Sequence, residues 1–464
     1  MSSIIDDMKS ALQGVQIDYT TEDMSKSLMI LAVPLVLEMM LQSIFEIVDI
    51  FFVGKLGATA IAAVGLVSSV IVLIIGVGLG LGIATSSLIA QYMGQKNLQA
   101  AQRVAVYSII CTTLCGIAIS VFGVFYSSDI LMLMNADSKV IEEGVGYCTI
   151  AIGGAPILLL SIVNNSILRG AGDSSLSLRM VAFSNTINLI LDPILIFGFW
   201  IFPSMGLIGA AVATLIGRTV GVVYQFLVLF RGISRLKIQQ IPVPIDGQIL
   251  YELVRKSATG MFQSFVGTAS WMMIIRIVAM FGSVTVAGFV IMIRISLFVL
   301  LPAIGLANAA TTLVGQNLGA EQKERASDAV WLTGKANVIL MIPLIFVLCF
   351  FAEYWVSIFT TDPEVLKTGR DILQITSVGI LFWGLGSTMN NSLNGSGDIQ
   401  TPTRINIICF WFVQIPLAYL LSKHIGWEGI GVAWAIVCAD TTFFLCGCFA
   451  VTRTNWFSFR NDRS

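Results

Sequence analysis

Twelve apolar stretches of helix length follow one another along this chain, and they constrain its fold more than any other feature. About 20 apolar residues in an α-helix span the hydrocarbon core of a bilayer, whereas buried core strands are much shorter. The stretches are residues 27–52, 60–92, 103–126, 144–168, 178–201, 208–230, 258–280, 286–317, 330–352, 372–395, 401–422 and 428–451. The sequence therefore predicts an all-α polytopic membrane protein with twelve transmembrane helices.

Charge and cysteine content support the membrane class. Of the 464 residues, 56% are hydrophobic and only 11% are charged, which is too little charge for the surface of a soluble protein of this length. All eight cysteines fall within the apolar stretches, so we interpret them as small buried side chains and not as disulfides or zinc ligands. The first 24 residues carry acids and no apolar core, so no cleavable signal peptide is predicted.

The distribution of lysine and arginine predicts the orientation. With the N-terminus inside, eighteen of the 26 basic residues fall in inside segments, five fall in outside loops and three lie within spans. Cytoplasmic loops carry the excess of lysine and arginine. We therefore expect both termini to be cytoplasmic in the cell inner membrane, which agrees with an even number of spans.

The chain also repeats itself at a spacing of 225 residues. Ser86-Ser87-Leu88-Ile89, with Gln91 and Gly94, reappears as Thr311-Thr312-Leu313-Val314, with Gln316 and Gly319. Gly170-Ala171-Gly172-Asp173 reappears as Gly395-Ser396-Gly397-Asp398, and Arg179 reappears as Arg404. A duplication of this length predicts two matched structural units.

Six spans per copy give the copies the same orientation, which predicts two parallel six-helix repeats with a central cleft. The predicted domains are a cytoplasmic N-terminal segment 1–24, an N-lobe 25–231, a cytoplasmic linker 232–257, a C-lobe 258–452 and a cytoplasmic tail 453–464. This layout is typical of alternating-access transporters and favours transport on architecture alone.

Polar side chains inside two spans of the first copy mark a candidate site. In the first span Glu38, Gln42, Glu46 and Asp49 lie within about 80° of one another on a helix. In the fifth span Asn185, Asn188 and Asp192 also share a face. Intramembrane carboxylates are costly and usually face a cavity and a partner. For Glu38 and Glu46, a wetted side chain or a helix–helix hydrogen bond is an equally good interpretation.

At these residues the chain resembles the multidrug and toxic compound extrusion (MATE) family. The resemblance rests on Pro34, on Asp49 in the pattern Val48-Asp49-Ile50-Phe51-Phe52-Val53-Gly54-Lys55-Leu56-Gly57, on Gln91-Tyr92-Met93-Gly94 with its copy Gln316-Asn317-Leu318-Gly319, on Arg169-Gly170-Ala171-Gly172-Asp173, and on Asn188 with Asp192-Pro193. It covers residues 20 to 455 and is closest to the DinF-type prokaryotic branch. The branch with acidic ligands in the seventh and eighth helices is disfavoured, because spans 258–280 and 286–317 contain no Asp or Glu.

The resemblance implies roles for named residues. It makes Asp49, Asn188 and Asp192 a cation-responsive cluster, with Thr214 as the hydroxyl of the sixth helix and Tyr147 as the tyrosine of the fourth. It implies antiport driven by an ion gradient, with no cofactor other than H⁺ or Na⁺ as the coupling ion. Asp49, Asn188, Asp192 and Thr214 would be the ligands of Na⁺.

The second copy lacks these polar residues. Asp49 corresponds to Ile274, Asp192 falls near Leu417, and Thr214 corresponds to Ile436. The asymmetry predicts that the coupling ion binds in the first copy. Two close carboxylates share a cation or take up a proton and titrate as a pair. The single histidine, His424, falls in an outside loop, so a histidine relay is not expected.

We assign a wider set of side chains to the substrate cleft: Pro34, Glu38, Gln42, Glu46, Asn185, Met261 and Gln263. Methionines and phenylalanines offer an adaptable wall for cationic amphipathic compounds, although ordinary packing accounts for any single one. Expected partners are small organic substrates and the lipid bilayer, with no nucleic acid, and the protein is expected to be a monomer.

The sequence leaves other functions to be weighed. A lipid-linked precursor flippase of the same superfamily is the alternative to drug export. An enzyme is not expected, because the HExxH, GxSxG and Walker patterns are missing. The roles of the buried charges Arg218, Arg276, Arg294 and Asp440 stay open, with Asp440, Glu38 and Glu46 as candidate partners of Arg218 and Arg294.

Overall fold

The computed structural model describes residues 2–199, 202–238 and 245–456, with the side chains of residues 2–4 and 46 excepted. Helices make up most of these ranges, and no β-strand occurs within them. The helices before the linker are α1 (Ser2–Gln13), α2 (Met24–Gly54), α3 (Ala58–Gly94), α4 (Leu98–Phe125), α5 (Ser127–Leu133), α6 (Ser138–Gly153), α7 (Ala155–Ala171), α8 (Ser174–Phe197) and α9 (Gly206–Arg231).

The second half is equally helical. Its α-helices are α10 (Gly247–Val278), α11 (Ser283–Gly319), α12 (Lys323–Phe350), α13 (Ala352–Ser357), α14 (Pro363–Gly395), α15 (Gln400–Asn406), α16 (Ile415–Tyr419) and α17 (Glu428–Thr452). A 3₁₀ turn, Ala279–Phe281, follows α10. Two π-helical segments, Ile407–Gln414 and Leu420–His424, flank α16, so the eleventh predicted span combines α and π turns.

The membrane-spanning helices confirm the predicted fold class, and one of them differs from its predicted shape. Within the described residues, eleven helical segments are long and apolar enough to cross a membrane, and the bent pair α6 and α7 brings the number to twelve. The pair bends by 42° at Gly154, where the sequence predicts one straight span over 144–168. Pro156 lies in the first turn of α7, a position that proline tolerates because its missing N–H has no helical partner there.

The chain forms two compact units, which we call the first and second units. The first unit comprises Met40–Ile89 and Asn97–Met261. The second comprises Met1–Met39, Ala90–Lys96 and Phe262–Ser464. Helix α2 therefore contributes residues to both. The division into five domains stays a prediction. Within it, residues 247–257 of the predicted linker form the start of α10.

The repeated glycine motifs make equivalent helix contacts in the two units. In the first unit, a Cβ on Gly170 would lie 2.7 Å from the backbone oxygen of Ser86. In the second unit, a Cβ on Gly395 would meet the backbone oxygen of Thr311, the counterpart of Ser86 in the repeat. A side chain at either glycine would force the helices apart. The motif is repeated because the same close backbone approach is built twice.

The Gln-x-x-Gly motifs meet each other within the second unit. A Cβ on Gly94 would overlap the carbonyl oxygen of Gln316, and a Cβ on Gly319 would overlap the carbonyl oxygen of Gln91. The Gln91 side chain also donates from Nε2 to the Gly395 backbone oxygen at 3.0 Å. The ends of α3 and α11 are thus locked by reciprocal contacts, which explains why both copies keep the motif.

The segment that follows α9 is bonded to the first unit at two places. Ser234 donates its hydroxyl to Asp173 at 2.6 Å, and the Arg235 backbone N–H donates to the same carboxylate at 2.7 Å. Farther along, Arg103 pairs with Asp246 at 3.0 Å. The segment between the two copies is therefore anchored to the turn before α8 and to the start of α4.

The N-terminal segment is bonded to α11 and α12 within the second unit. Arg325 donates to the backbone oxygen of Glu22 at 2.7 Å and to that of Tyr19 at 3.3 Å. Asn317 accepts from the Arg325 Nε at 3.1 Å and donates to the Tyr19 oxygen. The Tyr19 side chain is almost fully buried in the adjoining apolar core. One arginine and one asparagine thus fix the chain just before α2.

Candidate functional site

The middle of α8 carries the first two members of the site. Asn188 and Asp192 are four residues apart, so their side chains meet on one helical face. The Asn188 amide donates from Nδ2 to Asp192 Oδ1 at 3.1 Å, and both residues are buried. Pro193 follows within the helix and removes one backbone hydrogen bond from that turn. The amide therefore holds the carboxylate in a locally weakened stretch of helix.

Thr214 joins the pair from α9. Its hydroxyl lies 3.4 Å from the Asn188 Nδ2 and donates to the backbone oxygen of Ala210 at 3.0 Å. The two helices approach closely here because of Gly217, where a Cβ would lie 2.8 Å from the Ser184 oxygen and 3.0 Å from the Asn188 Cβ. Ser184 donates its hydroxyl to the Gly217 backbone oxygen at 2.8 Å, which fastens the contact.

Asp49 reaches the same place from α2. Its carboxyl lies within hydrogen-bond reach of the Asp192 carboxyl, an arrangement that requires a shared proton or a bound cation. Asp192 Oδ2 is buried and has no hydrogen-bond donor among the described residues. Asp49 lies one turn before Val53, which packs in the same apolar cluster as Ala210 and Tyr147. This cluster positions the end of α2 against α9 and α6.

Tyr147 and Arg218 complete the electrostatic surroundings. Tyr147, on α6, interacts with the charges of Asp49, Asp192 and Arg218. Arg218 lies one helical turn after Thr214 on α9, and its positive charge acts on Asp49. The sequence predicts other candidate partners for Arg218 and does not assign it to this site. The four-residue spacing from Thr214 is the signal that points to the site.

The assembled group is rich in oxygen atoms. Two carboxyl groups, the Asn188 amide, one hydroxyl and one phenol come together within the first unit. Carboxyl, hydroxyl and phenol oxygens are hard ligands of the kind that suits Na⁺ or H⁺. The acceptor Asp192 Oδ2, which lacks a donor, is available for either ion. The five coupling residues predicted from the sequence are thus close together in the structure.

The predicted substrate-cleft residues are distributed over both units. Pro34, Glu38 and Gln263 belong to the second unit, and all three are buried, Glu38 with only 1% of its surface exposed. Gln42, Asn185 and Met261 belong to the first unit, where Gln42 is exposed and the other two are half-buried. The side chain of Glu46 lies outside the described residues. A shared cleft for this set stays a prediction.

Comparison with known proteins gives a consistent family match. The profile of the MatE family matches residues 34–194 and 260–420, one match for each repeat. The chain is 29% identical to the probable multidrug resistance protein YoeA of Bacillus subtilis over 88% of this chain and 89% of the relative. It is 27% identical to the probable multidrug resistance protein NorM of Thermotoga maritima over 91% and 90% of the two chains.

Solved structures share the fold. An outward-facing multidrug resistance MATE transporter of the MOP superfamily aligns with a TM-score of 0.87 and 25% identity. The alignment covers 94% of this chain and 98% of that one. The named relatives give no support to the alternative of a lipid-linked precursor flippase.

Proposed function

Because this chain belongs to the MatE family, whose members are multi-pass membrane transporters and not enzymes, we propose that it is a cation-coupled antiporter. It exports small organic compounds, and H⁺ or Na⁺ entering the cell drives the export. The relatives are named for multidrug resistance, which favours varied organic substrates, and we infer cationic amphipathic compounds among them. Like other MATE transporters, it needs no cofactor beyond the ion gradient.

The observation that carries the proposal is the approach of two carboxyl groups beside one arginine. With both acids ionised, Asp49 and Asp192 outweigh the charge of Arg218 by one negative charge. An uncompensated charge buried among helices is costly, so one proton or one Na⁺ restores balance. Asn188 and Thr214 supply further oxygen atoms to whichever ion binds.

Coupling follows if the ion prefers one conformation. A cation that binds more tightly when the site is open to the outside shifts the protein toward a state with lower substrate affinity. Release of the ion to the cytoplasm reverses the shift. An ion with equal affinity for both states would drive nothing, so the geometry around Asp192 must differ between them. The bond from Asn188 to Asp192 is the contact that we expect to change.

Location and branch form part of the same proposal. We place the protein in the cell inner membrane as a monomer with both termini in the cytoplasm. We assign it to the DinF-type branch, because the acids lie in the first copy and the spans over 258–280 and 286–317 contain none.

Export from proteoliposomes tests the function. We expect the wild-type protein to export a fluorescent organic cation under an imposed pH gradient, an imposed Na⁺ gradient or both. Asp49→Asn and Asp192→Asn should each reduce export to the level of protein-free liposomes, because the neutral amide removes the charge that binds the ion. Asp129→Asn, at an exposed carboxyl on α5, is the matched control and should export normally.

The result also separates the coupling ions. Export under only one gradient identifies that ion. Normal export by either Asp→Asn variant would refute the assignment of the carboxyl pair, and export that needs neither gradient would refute antiport itself.

A further inference from the structure

One of the buried carboxyls outside the coupling site lies on α17, the last helix of the described residues. Asp440 sits in the middle of α17 in the second unit, with 6% of its surface exposed. No hydrogen bond joins it to any described residue. Helix α14 leaves space for it at Gly379, where a Cβ would lie 2.9 Å from Asp440 Oδ2. A place for this acid is therefore built into the contact between the two helices.

No positive charge compensates Asp440 within the described part of the chain. The titratable side chain that interacts with it is the thiol of Cys409, which itself contacts Cys446 on α17. On α14 the nearest charged residue, Asp371, is eight residues before Gly379, about 12 Å along the helix axis. On α17 itself the other thiols are Cys438 and Cys448. The remaining charged or titratable groups on the packed elements lie toward helix ends: Glu364, Lys367, Arg370, Arg404, Tyr419, Lys423, His424 and Glu428.

An ion at this position is much more costly than a neutral group. An isolated carboxylate in a membrane interior pays a desolvation penalty that no partner offsets here. A bound proton removes that penalty. The neutral, protonated carboxyl is therefore the form that fits between α14 and α17 in this conformation, and a conformation that gives it solvent or a cation would favour release of the proton.

Two further features distinguish this region from the first copy. In the register that aligns Gly209 with Gly431, Asp440 corresponds to Arg218, so the two copies carry opposite charges at equivalent positions. The neighbouring segment Ile407–Gln414 is π-helical and packs against α17, whereas its counterpart in α8 is regular α-helix. Such π turns occur frequently at functional sites.

We propose that Asp440 is a second proton-binding site, located in the second unit and separate from the Asp49–Asp192 pair. It binds a proton in the conformation described here and releases it in another conformation of the transport cycle. The proposal rests on the proposed antiport for its role in transport, but proton binding by Asp440 can be measured without transport.

Infrared difference spectroscopy of the purified protein in lipid nanodiscs tests the binding step directly. We expect the C=O stretching band of a protonated carboxyl to appear and disappear as the pH is changed across the range in which the protein stays folded. One component of this band should be lost in Asp440→Asn and kept in the Asp49→Asn/Asp192→Asn double variant. Thr442→Ala, at a half-buried position on the same helix that carries no carboxyl, should leave the spectrum unchanged.

A second arm tests the role in transport. In proteoliposomes, Asp440→Asn should release fewer protons per substrate exported than the wild-type protein. If the wild-type protein and Asp440→Asn show the same titrating bands, the proposal is overturned. It is also overturned if the band lost in Asp440→Asn does not change with pH in the wild-type protein, because the carboxyl is then permanently protonated and only structural. Failure of the proposed antiport would appear separately, as absence of gradient-driven export by the wild-type protein.

Discussion

At the scale of single residues, the coupling site depends on a short chain of hydrogen bonds. Asn188 is bonded to Asp192 at 3.1 Å and lies 3.4 Å from Thr214, so the amide connects the carboxyl pair to α9. The Thr214 hydroxyl is held in turn by the backbone oxygen of Ala210. The orientation of the amide therefore depends on a residue that carries no charge.

Thr214→Val should weaken ion binding without abolishing it. The substitution keeps the shape of the side chain but removes the oxygen beside Asn188, and loss of about 1 kcal/mol corresponds to an ion affinity lower by about fivefold. The measurement is the half-saturating proton or Na⁺ concentration for export.

Two variants frame this prediction. Thr214→Ser retains the hydroxyl and should restore the affinity. Thr219→Val is the control on the same helix, because that hydroxyl donates to the Leu215 backbone oxygen and to no other group in the described part of the chain. Equal affinities for Thr214→Val and the wild-type protein would remove Thr214 from the site.

At the scale of elements, the two copies use the same aspartate differently. Asp173 precedes α8 and accepts from Ser234 and from the Arg235 backbone, with the Arg235 guanidinium 3.5 Å away. Among the described residues, the carboxyl of its repeat counterpart Asp398 accepts from the backbone N–H and the hydroxyl of Thr401, three residues ahead, and from no other group. In the first copy the residue anchors the segment between the copies, and in the second copy it bonds only within the turn that begins α15.

Asp173→Ala should therefore be more damaging than Asp398→Ala. The first change leaves buried donors on Ser234 and Arg235 without an acceptor, at a cost of about 2–4 kcal/mol. The second removes hydrogen bonds within a single turn, which are worth about 1 kcal/mol. Thermal unfolding in detergent measures both effects, and tryptic cleavage after Arg235 or Lys237 should become faster in Asp173→Ala alone. Equal unfolding temperatures for the two variants would contradict the difference.

At the scale of the whole molecule, the number of spans decides where the C-terminus lies. Helices α6 and α7 count as one crossing if together, with the bend near Gly154 between them, they run from one face of the bilayer to the other. Twelve crossings return the chain to the side on which it began. Eleven crossings, with the bent pair entering and leaving on one side, would put the two termini on opposite sides.

Reporter fusions should place both termini in the cytoplasm. A fluorescent protein fused after Ser464 should fluoresce, because it folds in the cytoplasm and not after export. Alkaline phosphatase fused after Asn135, ahead of the bent pair, should be active because that loop is expected outside. Suppose instead that the fluorescent protein after Ser464 is dark and that alkaline phosphatase fused after Ser464 is active. The bent pair then does not cross the membrane.

The features that could be predicted from the sequence are those that place polar residues within apolar spans. Asn188 and Asp192 could be grouped by helical spacing, and Thr214 followed from the family resemblance. Changes in helix geometry do not alter the pattern of polar residues. The bend at Gly154 and the π turns over Ile407–Gln414 lie in uniformly apolar runs, where hydropathy does not change with helix geometry.

Helical spacing also does not distinguish the surroundings of polar residues. Glu38 and Gln42 share a face in projection, yet Glu38 is buried and Gln42 is exposed, because an apolar pattern looks alike toward protein and toward lipid. Arg218 was visible as a buried charge, but its neighbours come from α2 and α6 and depend on tertiary structure. Spacing within one helix predicts a face, and only packing between helices identifies its partners.

The bond from Arg325 to the Glu22 backbone has a consequence for biosynthesis. The two residues are 303 positions apart, so the ribosome releases the N-terminal segment long before its partner exists. At 5–20 residues per second, about 15–60 s of translation separate the two. During that interval α2 is already available for insertion while the chain ahead of it waits undocked. Synthesis of the start of α12 is therefore the event that lets the start of the polypeptide reach its final place.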